Sequence, residues 1–238
     1  MEKSSDSTVR GNLQRVEEHI CAACAAAGRP RDSVRLMAVT KTVEPSRILE
    51  AIQCGVDLIG ENRVQEYLEK KPELTNVPFL ERHLIGHLQT NKVNAIVGQV
   101  DMIQSVDSLR LAQLISRRSV ALGLVTAILV EVNIGGEKSK SGVAPEELES
   151  LLYQLADLPG ISVQGLMTVP PVLQEESEKR KIFSKMHRLS VDIMGKNIDN
   201  IDMRILSMGM SGDYPEAILE GATLVRVGSA IFGQRIYP

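Results

Sequence analysis

The stretch VRLMAVTKTVEPSRILEAIQCGVDLIG, residues 34–60, reads as a strand, a helix and a second strand. Its first seven residues form a short apolar run, Pro45 opens a helix that extends to Cys54, and VDLIG at 56–60 is strand-like again. Two strands joined through a helix lie parallel in one sheet, with a right-handed crossover. Working outward, the same pattern repeats. Further strands are predicted at 82–86, 100–105, 125–133, 161–168, 203–207 and 223–227, and helices at 62–70, 90–97, 108–121, 145–158, 175–194 and 213–220. An amphipathic helix at 9–27 precedes the first strand and stops at Gly28-Arg29-Pro30, while residues 1–8 are polar, unpatterned and expected to be disordered. Eight strands in strict alternation with helices predict an α/β fold, one (β/α)8 TIM barrel with an extra N-terminal helix, as a single domain over 1–238. An open doubly wound sheet would usually stop at five or six strands.

The 238 residues include 27 Lys and Arg and 30 Asp and Glu, a net charge of −3. Opposite charges are interspersed along the chain, which argues against a nucleic-acid-binding surface. Charged residues also break every apolar run before the ~18 residues that a membrane span needs. The three cysteines cannot all pair and no secretory leader precedes them, so a reducing cytoplasm is expected. Cys21 and Cys24 form a CxxC within an Ala-rich helical pattern and are read as two packed helical cysteines. His83 and His87 are read as sharing one face of a strand, and with no further ligand at suitable spacing no metal is expected.

In such a barrel the functional groups stand at the C-terminal ends of the strands. Lys41 ends the first strand, where partial burial would lower the pKa of its amine and let it attack an aldehyde; a plain surface lysine is the alternative. After strand seven comes LSMGMSGD at 206–213, and Gly228-Ser229 follows strand eight. Glycines and a helix start supply backbone N–H groups for an anion, and loops seven and eight are the usual phosphate grip of this fold, although they could be simple closing turns. A Schiff-base lysine and a phosphate grip on one rim suggest a phosphorylated aldehyde, and pyridoxal 5′-phosphate fits both. Arg226 could donate to the pyridine nitrogen and keep it unprotonated, making a poor electron sink, or could instead form a rim ion pair with Asp213 or Glu220. Asn62 could bond the ring or merely cap a helix. Lys138 and Lys140 lie in GGEKSKSG, 135–142, a stretch expected to be solvated and mobile.

These residues sit in a set of segments that resembles the pyridoxal phosphate homeostasis proteins, a family with the barrel of the alanine racemase N-terminal domain. The segments are AVTKTVEP (38–45), GENRVQE (60–66), HLIGHLQTNK (83–92), GLMTVPP (165–171), SMGMSGDYPEAI (207–218) and VRVGSAIFGQR (225–235). Ile59, where the family usually has Phe, and Arg82, where it often has Trp, depart from the pattern. The resemblance implies that Lys41 forms the aldimine with pyridoxal phosphate, that Ser211, Gly228 and Ser229 hold the phosphate, and that Arg226 lies by the pyridine nitrogen. Asn62 and Met208 complete the expected cofactor-binding set.

The resemblance also implies a carrier or regulator of vitamin B6 and amino-acid pools without established turnover, acting as a monomer that passes cofactor to apo-enzymes. Alanine racemases append a β-rich domain that supplies a catalytic tyrosine, and this chain ends at Pro238, so no second base is expected. Two alternatives remain open at this level: a pyridoxal-phosphate-dependent racemase or decarboxylase, and a Schiff-base aldolase that uses Lys41 on its substrate.

Overall fold

A computed structural model describes residues 8–137, 140–171 and 173–234. The eight predicted strands are all present and close into one parallel barrel in sequence order. They are β1 (Arg35–Val39), β2 (Leu58–Glu61), β3 (Glu81–Leu84), β4 (Met102–Val106), β5 (Thr126–Glu131), β6 (Ile161–Met167), β7 (Ile201–Met210) and β8 (Leu224–Val227). Closure is made by β1 on β8, with Arg35 to Ala38 in register with Leu224 to Val227. The helices are α1 (Val9–Ala26), α2 (Pro45–Gln53), α3 (Val64–Leu74), α4 (Val93–Ile96), α5 (Leu109–Ala121), α6 (Pro145–Ala156), α7 (Glu176–Met194), α8 (Tyr214–Leu219) and α9 (Ser229–Phe232).

Alternation along the strands separates two apolar regions. Outward-facing strand residues such as Ala38, Ile59, Leu166 and Val225 join the apolar faces of the helices in one large cluster. Inside the barrel, Met37, Leu58 and Leu224 form one small cluster and Met102, Leu129 and Met167 another. α1 braces the C-terminal elements. Buried Asn12 donates to the Ile231 carbonyl at 2.7 Å, and His19 is hydrogen-bonded to Tyr214 at 2.9 Å while stacking on its ring. The extra helix therefore supports α8 and α9, the two elements that follow the phosphate-grip segments.

Several expectations are corrected. Residues 1–7 lie outside the described residues, but Thr8 is ordered, its hydroxyl accepting the Gly11 N–H as the N-cap of α1. Cys24 packs as expected, whereas Cys21 is exposed and donates to Glu17. The helix predicted at 90–97 is a 3-10 turn at Thr90–Lys92 followed by the single turn of α4. His87 lies beyond β3 and is more than half exposed, so it shares no strand face with buried His83. Arg82, in the position where Trp is often found, turns its guanidinium onto the carbonyls of Leu74 and Leu80 and so satisfies the C-terminal end of α3. β7 runs on through Met210, so Met208 and Gly209 belong to the strand rather than to the loop after it.

Candidate functional site

Lys41 stands two residues beyond the end of β1, between two threonines that are both held from outside the strand. Thr40 Oγ1 donates to Glu61 Oε1 at 2.7 Å, and Lys70 Nζ donates to the Thr40 carbonyl at 2.7 Å. The same ammonium reaches Glu61 Oε1 at 3.0 Å and Glu66 Oε1 at 2.6 Å. Glu66 in turn accepts the Thr42 backbone N–H. Thr42 has φ of 60°, a left-handed conformation that is costly for a β-branched residue and persists only where surroundings impose it. Burial pushes the Glu61 carboxyl above its ordinary pKa despite the pull of Lys70, and its Oε2 is buried without a hydrogen-bond partner. Glu61, Glu66 and Lys70 thus form an ionic clamp around the turn that presents Lys41.

Lys41 opens into a cleft of about 400 Å³ whose other walls include Thr42, Arg47, Gly228 and Ser229. The first and last strands of the barrel therefore bring the amine and the second half of the phosphate grip together. Ser211 joins them from the turn just after β7. Its Oγ accepts the N–H groups of Gly228 at 3.0 Å and Ala230 at 3.4 Å, so two backbone donors at the start of α9 converge on one oxygen. Gly209, at a φ of 93°, lets β7 pack closely on α8, where a Cβ would lie 2.6 Å from the Ala217 side chain. Lys179 holds the following loop through the Gly212 carbonyl at 3.1 Å.

Arg226 faces the barrel interior two residues before Gly228 and is only 3% exposed. Its Nη1 donates to Ser207 Oγ and its Nη2 to the Thr168 carbonyl, both at 2.7 Å. Neither carboxylate proposed as an ion-pair partner bonds it: Glu220 pairs with Arg180, and Asp213 accepts the Met210 N–H. Burial lowers the guanidinium pKa to about 10, which leaves it cationic at neutral pH.

Met208 does not line the cleft; its side chain is fully buried in the outer cluster, because alternation turns Ser207 inward and Met208 outward. Asn62 does not cap α3, whose N-cap is Arg63, and its Oδ1 is buried without a partner. An amide oxygen left so is an acceptor suited to a ligand donor. Lys140 bonds Glu137 and the Pro170 carbonyl rather than lying in solvent, and Lys138 is outside the described residues.

One rim residue has no counterpart in the sequence reading. Glu131 ends β5 at 7% exposure, and burial, with Asp107 nearby, raises its pKa to about 7 even against Arg226. A lone carboxylate inside the most apolar strand was the available signal. Among the described residues no group of three or more His, Cys, Asp or Glu is placed to hold a metal, and no helix is long and apolar enough to cross a membrane. A cavity of about 620 Å³ lies between α1 and the N-terminal ends of β1 and β2, where Arg31 is paired with Glu17 and Arg35 with Glu81 and Asp57. It contains no reactive group beyond Cys54.

Residues 11–236 match the family model of the alanine racemase N-terminal domain. The chain belongs to that family. Within it, the chain is 44% identical over 225 residues to the pyridoxal phosphate homeostasis protein of Aquifex aeolicus, covering 94% of this chain and 97% of the relative. The pyridoxal phosphate homeostasis proteins are thus its own branch. A crystal structure of an unknown protein from Bifidobacterium adolescentis superposes with a TM-score of 0.91 at 40% identity, covering 98% of each chain. PipY of Synechococcus elongatus, solved with PLP bound, gives 0.81 at 35% identity, covering 90% of this chain and all of that one. The barrel and the family expected from the sequence are both borne out.

Proposed function

We propose that this chain binds pyridoxal 5′-phosphate through Lys41 and serves as a carrier or buffer of that cofactor in the cytoplasm, acting as a monomer and delivering the cofactor to apo-enzymes. The observation that carries the reading is the shared cleft of Lys41, Gly228 and Ser229, with Ser211 drawing two backbone N–H groups to one point. The relatives named for pyridoxal phosphate homeostasis and the PLP-bound PipY support it. When bound, the cofactor supplies an aldehyde for a lysine and a ring that can take up negative charge.

The chain's own residues do the rest. The ionic clamp orients the Lys41 amine. Ser211, Ser229 and the Gly228 N–H receive the phosphate. Asn62 Oδ1 offers an acceptor to the ring's substituents, and Arg226 supplies a cation beside its nitrogen. A fixed cation there disfavours protonation of that nitrogen and weakens the ring as an electron sink, which suits holding the cofactor over turning substrate over. The three cysteines are free, as a reducing compartment would keep them.

Borohydride reduction of the loaded protein followed by peptide mapping tests the assignment: the adduct is expected on Lys41, and an adduct mainly on Lys140 overturns it. A second reading, proton exchange at the Cα of an amino acid, is favoured by Glu131, an acid poised near neutrality on the same rim. Deuterium exchange into alanine in heavy water separates the two. The carrier reading expects slow exchange alongside transfer of cofactor to an apo-enzyme. Exchange at ~1–10³ per second that is lost in Glu131→Gln would establish the enzyme instead.

A further inference from the structure

Arg226 is the top of a row of buried polar groups that runs down through the barrel. Its Nη1 donates to Ser207 Oγ at 2.7 Å; Ser207 donates to Gln104 Oε1 at 2.7 Å; Gln104 Nε2 meets His83 Nδ1 at 2.7 Å; and His83 Nε2 meets Glu81 Oε1 at 2.6 Å. Ser207, Gln104 and His83 are at most 1% exposed. The row crosses four strands, β8, β7, β4 and β3, and ends where Glu81 also receives Arg35 at 2.7 Å.

Its polarity is forced from both ends. A guanidinium can only donate, so Ser207 must send its own proton on, and the acceptor it finds fixes the Gln104 carbonyl toward it and the amide NH₂ toward His83. From the other end, hydrogen bonding from His83 and Arg35 holds the Glu81 carboxyl down near a pKa of about 2, and an ionised carboxylate can only accept. Both constraints require His83 to carry its proton on Nε2 and to accept at Nδ1. Every donor in the row then points from the cation to the anion, the arrangement in which successive hydrogen bonds strengthen one another.

We propose that His83, Gln104 and Ser207 are positioning residues that lock the plane of the Arg226 guanidinium through this one-way chain, and so fix the donor that Arg226 presents to a pyridine ring. The second half of that statement rests on the cofactor reading above; the first does not. With Nη1 held by Ser207 and Nη2 by Thr168, the fork cannot rotate without breaking two buried bonds. Loss of a distant link, at His83 or Gln104, frees Ser207 to turn its hydroxyl and loosens the fork.

Two measurements test this. The first uses the protein without cofactor: two-bond ¹H–¹⁵N correlation spectra of its four histidines at pH 7.5, with His83 assigned by its loss in His83→Gln. The expected spectrum shows His83 protonated at Nε2 alone. Protonation at Nδ1, or a rapidly averaging mixture of both tautomers, overturns the chain. The second follows the visible absorption band and the affinity for pyridoxal phosphate. His83→Gln keeps an acceptor and a donor in the required order and is expected to leave both near wild type. His83→Phe and Gln104→Met are expected to shift the band and weaken binding on the order of tenfold. Folded His83→Phe with an unchanged band and affinity sinks the positioning role, since a purely structural residue would alter stability and nothing else. If the wild-type protein itself develops no band, the cofactor reading and the second half of the proposal fail together, while the tautomer still decides the first.

Discussion

Lys41 and Arg226 extend from neighbouring strands, β1 and β8, toward one mouth, yet they are held by opposite means. The Lys41 turn is gripped by charges: two carboxylates and an ammonium, packed within a few ångströms of each other and largely shielded from water. Arg226 is held by neutral dipoles, a serine, an amide and an imidazole, that stand between it and the nearest bonded carboxylate. The difference teaches what each residue is required to do. Neutral links leave Arg226 without a hydrogen-bonded counter-ion, so that Asp213 and Glu131 act on its charge only through space, as suits the role proposed for it beside a ring. An ionic clamp can be strong beside Lys41 because it bonds the flanking threonines.

Breaking the clamp is expected to have the largest effect. Lys70→Met leaves Glu61 and Glu66 facing each other around an apolar stem, and removing one partner of a buried ion pair costs about 3–5 kcal/mol. Urea denaturation at pH 7.5 should show that loss, with most of it recovered in Lys70→Met/Glu61→Gln; a single variant as stable as wild type would show the clamp to be ornamental.

Glu131 comes next, with the opposite sign. Its folded pKa of about 7 lies above the ordinary carboxyl value of 4.5, so the folded state binds the extra proton and stability falls as pH rises between those values. The penalty is complete above pH 7 and absent below pH 4.5. Glu131→Gln is therefore expected to stabilise the protein at pH 8 by up to about 3 kcal/mol, shrinking toward nothing near pH 4.5. A gain independent of pH would mean that the carboxylate is not the cause.

Thr40→Val removes the hydroxyl between the strand and Glu61, a bond to a charged acceptor worth about 1.5–3 kcal/mol. It should also lower the yield of borohydride-fixed Lys41 without changing the His83 spectrum, since the clamp and the chain share no residue. Smallest are the phosphate-grip serines. Ser211→Ala strands the Gly228 N–H and should cost ~1 kcal/mol, whereas exposed Ser229→Ala should change stability by less than ~0.5 kcal/mol. Both are expected to weaken pyridoxal phosphate binding, and unchanged affinity in the folded double variant would remove the phosphate site from this cleft.

What could be read from the sequence follows from what each feature depends on. The strands were legible because buried parallel strands are apolar runs bounded by helix starts, and the rim positions of Lys41, Ser211, Gly228 and Ser229 followed once strand ends were placed. α9 was not, since four residues between Gly228 and Gly233 carry no periodicity. β7 was cut short at both ends, where Asp202 and Gly209 read as loop. The clamp joins Thr40 to Lys70 and the chain joins His83 to Ser207, pairings that only the closed barrel creates. Even so, His83, Gln104 and Glu131 are solitary polar residues within apolar strands, and such residues are retained only when something meets them.

The seam between β1 and β8 has a consequence for the life of the chain as it is made. Lys41 leaves the ribosome well before Gly228, the two separated by about 9–37 s of synthesis at ~5–20 residues per second. Through that interval the cleft has only one wall. On the cofactor reading proposed above, a nascent chain carries the lysine before it has the opposite wall of the cleft, which is in place only when β8 docks on β1 and the ring of strands is complete.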